Sequence, residues 1–456
     1  MSSDLAVVIL AAGKGTRMKS ALPKVLHPIA GRPMVAAVAA TAAALQASRM
    51  VGVIGPEPEM ASVAAALAPH PCVIQADRLG TGHAVQQARS ELEANPPQTV
   101  LILYGDTPLI PTEVLAKMIT ARKDAAVVVL GFRPDDPGAY GRLITAADGS
   151  LEAIVEAKDA TPAQLAVPLC NSGVMAVDGA LLFPLLDKVG NDNAKGEYYL
   201  TDLVALARAA GQRCAVVEGA EADMMGVNSR VDLAAAEAVA QARLRRIAME
   251  GGATLTAPDT VFFSYDTRLG QDVVVGPFTT FGPGVTVEDG VTIKGYCHFE
   301  DCHVSSGVIL GPYARLRPGA EIGPDAHIGN FVEIKKATVE AGAKINHLSY
   351  VGDARVGAKA NVGAGTICCN YDGYNKSHTD IGAGAFIGSN SALVAPVTIG
   401  DGAIIGAGSA VSGTIPADSL ALTRAPLEQR EGWAAKFREM QRRAKAALKG
   451  TGSSKV

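Results

Sequence analysis

The chain has 456 residues, a formal net charge of -4 and 19% charged residues. A single hydrophobic core stops growing near about 250–300 residues, so this length calls for two or three domains. The near-neutral charge argues against a nucleic-acid or membrane partner held by a strong overall field, which leaves small molecules and further copies of the chain. Seven cysteines (Cys72, Cys170, Cys214, Cys297, Cys302, Cys368 and Cys369) are odd in number, scattered and without C-x-x-C spacing. They read as reduced thiols rather than a disulfide framework or a zinc site.

The first element is the apolar run Leu5 to Ala12. It follows an acidic start with no basic region, and it is too short to span a bilayer. A buried strand is expected, in a cytoplasmic protein. Similar runs at Val7 to Leu10, Val51 to Ile54, Val100 to Leu103 and Ala126 to Leu130 alternate with Ala-rich helical stretches up to about residue 230. Continuous apolar strands of this kind predict a sheet covered by helices on both faces, an α/β layered domain.

After the first strand comes Leu10-Ala11-Ala12-Gly13-Lys14-Gly15-Thr16-Arg17-Met18, then Leu22-Pro23-Lys24. Two glycines let backbone N–H groups approach a phosphate closely, and Arg17 and Lys24 neutralise charge on it. The loop satisfies neither G-x-G-x-x-G nor G-x-x-x-x-G-K-[ST], so neither a dinucleotide fold nor a kinase-type loop is implied. Gly80-Thr81-Gly82-His83 follows a later strand. Leu103-Tyr104-Gly105-Asp106 puts an acid at a strand's C-terminal end, where α/β sheets bind ligands. Taken alone, Asp106 reads as a turn or capping acid.

Val231 to Met249 is built of strong helix formers and stops at Gly251-Gly252, which predicts a linker helix. Beyond it, apolar residues recur every six positions: Leu269, Val275, Phe281, Val287, Ile293 and Phe299, then Leu310, Leu316, Ile322, Ile328 and Ile334, and later Ile381, Ile387, Leu393, Ile399, Ile405 and Val411. A six-residue period fits neither a helix nor a lone strand but does fit a parallel β-helix. The polar stretch Asn370 to Asn375 interrupts the repeat as an inserted loop, and long loops on rigid scaffolds often carry function. The end of the chain, with Trp433 and many Lys and Arg residues, predicts an amphipathic basic helix over Leu427 to Leu448. Eight histidines are present, so no lone histidine is assignable without its context.

With Glu156, Asn171-Ser172-Gly173, Gly196-Glu197-Tyr198-Tyr199 and Gly226-Val227-Asn228 added, the N-terminal motifs resemble the sugar nucleotidyltransferases. Over Leu5 to Trp433 the chain is similar to the bifunctional N-acetylglucosamine-1-phosphate uridyltransferase/glucosamine-1-phosphate N-acetyltransferase family. The resemblance implies an α/β fold: a Rossmann-like nucleotidyltransferase domain (1–230), a linker helix (231–251), and a left-handed parallel β-helix of hexapeptide repeats with a C-terminal basic helix (252–456). The repeat by itself does not set the handedness.

In that family, Leu10, Ala11, Ala12 and Gly13 hold the nucleotide, and Gln75, Gly80 and Thr81 contact the uracil. Tyr104, Gly105, Gly141, Glu156 and Asn171 line the sugar side. Asp106 and Asn228 match the positions that hold magnesium, an ion suited by hard oxygen ligands. Arg17 and Lys24 are the expected catalytic cations. For acetyl transfer the resemblance makes His347 the proton acceptor, with Glu333 orienting its imidazole. Arg317, Lys335, Tyr350 and Asn361 are expected to bind glucosamine-1-phosphate. Ala364, Asn370, Tyr371, Ser389, Ala407 and Arg424 match acetyl-CoA positions. UTP and acetyl-CoA are the implied co-substrates, and a homotrimer is the implied assembly. A nucleotidyltransferase whose β-helix only oligomerises is the alternative reading; His347 and the Asn370-Tyr371 loop argue against it.

Overall fold

A computed structural model describes residues 4–193 and 195–450, with side chains as far as Ala447. The chain forms two compact units, Met1–His303 and Val304–Val456. In the first, a central sheet runs in the order Cys214–Gly219, Val127–Phe132, Cys170–Asp178, Thr99–Tyr104, Leu5–Leu10, Arg49–Ile54, Cys72–Ile74. The long strand Cys170–Asp178 is antiparallel to both of its neighbours, and the other pairs on this path are parallel.

Side chains alternate between two cores, one on each face of the sheet. Ala6, Val8, Val100 and Ile102 enter one; Leu5, Val7, Ile9, Leu101 and Leu103 enter the other. Because both faces are covered, consecutive residues are all apolar, and the sequence shows runs instead of alternation. The expected strands thus lie in the sheet, and its C-terminal edge carries the loops of interest.

The linker helix spans Arg230–Glu250. Ser229 caps it, accepting from Asp232 N while Asp232 accepts in return, and Gly251 closes the far end. This helix is fastened to the β-helix that follows. Gln241, 2% exposed, donates to the Phe263 carbonyl at 2.7 Å and accepts from Phe263 N at 2.8 Å. Ala236 packs with Ile29, Met34, Leu109 and Val227, which ties the same helix to the α/β layers.

From Thr254 onward the chain coils as short parallel strands, and the same grammar is found in both units. Paired positions lie eighteen residues apart, as in Val274 with Thr292 and Thr280 with His298 in the first unit, and Ile309 with His327 in the second. Three six-residue segments make one coil. The period-six residues point inward and are buried from Val275 to Val411; Leu269, at the first turn, is only half-buried. Each buried aliphatic side chain contributes about 1.5–3 kcal/mol, so the stack supplies the core of the coil.

Two departures from eighteen matter for the second site. Asn330 pairs with His347, seventeen residues on, and Asn361 pairs with Phe386, twenty-five residues on. The first is a shortened coil and the second accommodates the inserted loop. The terminal helix covers Trp433–Gly450, shorter than expected at its start, with Trp433 stacked on Phe437 at 5.1 Å. None of the seven cysteines is in a disulfide, and no described helix is long and apolar enough to cross a membrane.

Candidate functional site

A cleft of about 380 Å³ opens at the C-terminal edge of the sheet in the first unit. Leu10, Ala11, Ala12, Gly13 and Lys24 form one wall, and Gln75, Gly80, Thr81, Tyr104 and Asp106 line the rest, all of them expected from the sequence. Lys24 Nζ donates to Asp106 Oδ2 and, at 3.1 Å, to Asn228 Oδ1. A carboxylate oxygen and an amide oxygen therefore converge on one cation-sized position. Burial, then the Asp106 charge, push the Tyr104 phenol well above its ordinary pKa. Its hydroxyl stays protonated there as a hydrogen-bond donor.

Local sequence explains this geometry. Gly15 has a left-handed φ of 62°, and a Cβ on it would stand 2.5 Å from Lys24 Cβ, so only glycine lets Lys24 come in behind the loop. Gly80, with φ 104°, passes so close to the 198 backbone that a Cβ would meet the Tyr198 carbonyl at 2.6 Å. Gly82 N donates to that carbonyl at 2.8 Å, Tyr198 N donates to the Leu79 carbonyl at 2.7 Å, and Gln75 Nε2 donates to the Gly80 carbonyl at 3.0 Å. The Gly-Thr-Gly-His and Gly-Glu-Tyr-Tyr motifs are thus one zipped structure, which brings Glu197 and Tyr199 onto the cleft wall.

Other expected residues lie nearby rather than on the wall. Asn171 N donates to the Gly141 carbonyl at 2.8 Å, Glu156 Oε1 is 3.7 Å from where a Gly141 Cβ would stand, and Gly173 lies against the Tyr104 ring. These groups cluster beside Tyr104. Gly105 N donates to the Leu10 carbonyl at 2.9 Å behind the cleft. Arg17 is exposed on the turn Thr16–Met18 and does not line the cleft. Arg78, which no motif in the sequence singles out, also lines the cleft. Its Nε donates to the Ala12 carbonyl at 2.7 Å and its guanidinium pairs with Glu57 at 2.5 Å.

The second unit holds the other group. His347 ends the strand Lys344–His347, is exposed, and its Nδ1 lies 2.7 Å from Asn330 Oδ1. An amide oxygen only accepts, so Nδ1 carries the proton and Nε2 presents a lone pair. The expected partner Glu333 does not orient the imidazole. Its carboxylate takes Arg317 at 2.7 Å and Arg315 at 3.9 Å, because the coil register sets Glu333 beside Arg315 and His347 beside Asn330.

Lys335 has its pKa pulled down, first by contact with Lys376, then by the Lys376 and Arg317 charges. Lys376 and Arg317 therefore stand near enough to Lys335 for their charges to act on it, although Arg317 is itself paired with Glu333. Lys376 was not anticipated. It arrives on the inserted loop, which is closed by the bridge between Tyr371 and Lys376 and by Asp372 Oδ1 accepting from Tyr374 N at 2.7 Å and Asn375 N at 2.6 Å. Asn370 Nδ2 donates to Asp353 Oδ2 at 2.5 Å, and the Tyr371 hydroxyl donates to the Gly373 carbonyl at 2.6 Å.

Tyr350 stands in register with Glu333, and Asn361 with Lys344, on the coil after each. Among the described residues no hydrogen bond joins either of them to His347. Ala364, Ser389 and Ala407 occupy successive coils at one corner: Asn390 N donates to the Ala364 carbonyl at 2.7 Å and Gly408 N to the Ser389 carbonyl at 2.8 Å. A Cβ on Gly388 would meet Ala407 N at 2.4 Å, and one on Gly408 would lie 3.6 Å from Arg424 Cδ. Burial raises the Cys368 thiol to about 11, which suits packing rather than chemistry.

The sheet with its phosphate cleft and the hexapeptide coil define a nucleotidyltransferase joined to a left-handed β-helix transferase. Residues 7–168 match the MobA-like NTP transferase domain, and residues 301–336 and 378–413 match the bacterial transferase hexapeptide family. Curated relatives are similar over nearly their whole length. The bifunctional protein GlmU of Rhodospirillum rubrum is 68% identical over 96% of this chain and 98% of its own. That of Paramagnetospirillum magneticum is 62% identical over 98% and 99%, and that of Azorhizobium caulinodans 57% over 95% and 97%. The chain belongs to the bifunctional GlmU family. It is an enzyme of UDP-N-acetylglucosamine synthesis, an N-acetyltransferase of glucosamine-1-phosphate and a uridylyltransferase of N-acetylglucosamine-1-phosphate.

Proposed function

We propose that the two chemistries fall to the two groups of residues just described, with residues 1–230 carrying uridylyl transfer, 231–251 linking, and 252–456 carrying acetyl transfer. The observation that supports this most directly is the convergence of Lys24, Asp106 and Asn228 at one cleft, alongside an exposed His347 whose Nδ1 is held by Asn330 Oδ1.

In the cleft, the Ala12-Gly13 backbone and Lys24 bind the UTP phosphates, while Gln75, Gly80 and Thr81 hold the base. Gly141, Glu156 and Asn171, beside the Tyr104 hydroxyl, hold the sugar. The sugar phosphate attacks the α-phosphorus of UTP and pyrophosphate leaves. Lys24, and Arg17 once its exposed side chain swings toward the ligand, offset charge on the transferring group. Asp106 Oδ2 and Asn228 Oδ1 fit magnesium, since two hard oxygens already share one cation position and this ion keeps most of its other ligands as water and phosphate. When bound, magnesium supplies further neutralisation of substrate phosphate.

On the coil, Arg317, Lys335 and Lys376 take the phosphate of glucosamine-1-phosphate, with Tyr350 and Asn361 beside it. His347 Nε2 accepts the proton of the amine as it attacks the thioester of acetyl-CoA, and Asn330 holds the tautomer. Asn370 and Tyr371, the small corner residues Ala364, Ser389 and Ala407, and Arg424 form the CoA side.

A homotrimer fits the surface. Exposed aromatics stack at one corner of the coil within each unit, Phe278 on Tyr296 at 4.9 Å and Tyr313 on Phe331 at 5.0 Å, and such a stripe favours association with further copies. A cytoplasmic location suits its soluble co-substrates. The deciding experiment is a coupled assay with glucosamine-1-phosphate, acetyl-CoA, UTP and magnesium, following CoA thiol and pyrophosphate separately. Release of both supports the reading. Pyrophosphate formed only when N-acetylglucosamine-1-phosphate is supplied directly overturns the His347 assignment.

A further inference from the structure

Two short turns carry the proposed cations of the uridylyl cleft, Thr16–Met18 with Arg17 and Lys24–Leu26 with Lys24. Arg230, the first residue of the linker helix, touches the end of each. Its Nε donates to the Met18 carbonyl at 3.3 Å, and its guanidinium lies 3.2 Å from His27 Nδ1. His27 is 3% exposed, and its backbone N–H closes the Lys24 turn by donating to the Lys24 carbonyl at 3.2 Å. Burial, then the Arg230 charge, push the imidazole pKa down, so His27 is neutral and its Nδ1 lone pair accepts from Arg230.

Arg230 is also locked to Asn228. Asp232 Oδ2 accepts from Asn228 N at 3.0 Å and from Ser229 N at 2.9 Å, so Asn228 and Arg230 sit on one rigid helix cap. We propose that Arg230 is a positioning residue for uridylyl transfer, one guanidinium that fixes the Arg17 turn, the Lys24 turn and Asn228 relative to one another. It touches no reacting atom. The inference rests on the roles given above to Arg17, Lys24 and Asn228. A clamp of this kind acts on geometry in the transition state, so its removal lowers turnover more than affinity.

The test uses the full-length protein as Arg230→Ala, Arg230→Lys and Lys24→Ala. Pyrophosphate release from UTP and N-acetylglucosamine-1-phosphate and CoA thiol release are measured on the same preparations. Arg230→Ala is expected to lower kcat for uridylyl transfer about a hundredfold with KM for UTP within about threefold, leave acetyl transfer unchanged, and be partly rescued by Arg230→Lys. An unchanged kcat, or a raised KM at full kcat, overturns the proposal while Lys24→Ala remains inactive. Full activity of Lys24→Ala overturns the site reading beneath it. If Arg230→Ala loses both activities together, His27→Leu decides: a selective fall in uridylyl kcat supports the clamp, and wild-type kcat overturns it.

Discussion

The uridylyl cleft and the acetyl-transfer corner solve the problem of binding a phosphorylated sugar in opposite ways. In the cleft, the side chains of Lys24 and Asp106 are only 12% and 18% exposed, and Lys24 meets the Asp106 carboxylate inside a concave wall. On the coil, His347 is exposed and the cations lie on an open surface of strands and loop. Charges in a partly buried site interact more strongly and are screened less than charges in water. The cleft therefore relies on a few placed groups, whereas the corner gathers three cations and, in the proposed trimer, has further copies of the chain to enclose it.

Four substitutions test that contrast. His347→Ala is expected to lower acetyl transfer about a thousandfold and leave uridylyl transfer intact, since a general base contributes about 10²- to 10⁴-fold. Loss of both activities together sinks the separation. Asp106→Ala is expected to do the reverse, lowering magnesium-dependent pyrophosphate release about a hundredfold or more. Unchanged release removes that ligand assignment.

Gly15→Ala sharpens the claim that the cleft depends on placement. Its Cβ would press on Lys24 Cβ at 2.5 Å and its φ of 62° disfavours a side chain, so kcat for uridylyl transfer should fall about tenfold to a hundredfold. Wild-type turnover would show that Lys24 has room to adjust.

Lys376→Ala tests the open site and has the smallest effect, about a tenfold rise in KM for glucosamine-1-phosphate with a lesser change in kcat. The pH dependence gives its direction. Lys335 is pulled below the ordinary lysine value by Lys376 and Arg317, so it loses its charge earlier as pH rises, and KM should climb on the alkaline side. Removing Lys376 takes away the largest cause and should move that limb to higher pH. A limb that stays put breaks the three-cation reading.

Much of this was legible beforehand, for local reasons. Burial of a strand on both faces writes itself as an apolar run, a coil writes itself as a six-residue period, and a phosphate loop needs glycines next to cations. Ten of the expected residues line the 380 Å³ cleft. The linker helix was found within one residue at each end, because its cap and its glycine stop are both local signals. Glu333 was misassigned because an acid near a histidine looks like its partner until the register is known.

Sequence by itself determined the α/β sheet, the coil and the phosphate-loop signature, since each depends on residues close together along the chain, whereas the roles at both sites came from the family resemblance. Only tertiary structure decided which distant groups meet. The coil register puts Asn330 beside His347 on one face of the coil and Glu333 beside Arg315 on another. The inserted loop carries Lys376 to Lys335, the packing of residues 55–57 against 78 turns Arg78 into the cleft, and the linker helix cap sets Arg230 on His27. These pairings depend on register and on the packing of separate elements, and a single residue gained or lost in a turn changes them without altering any local motif.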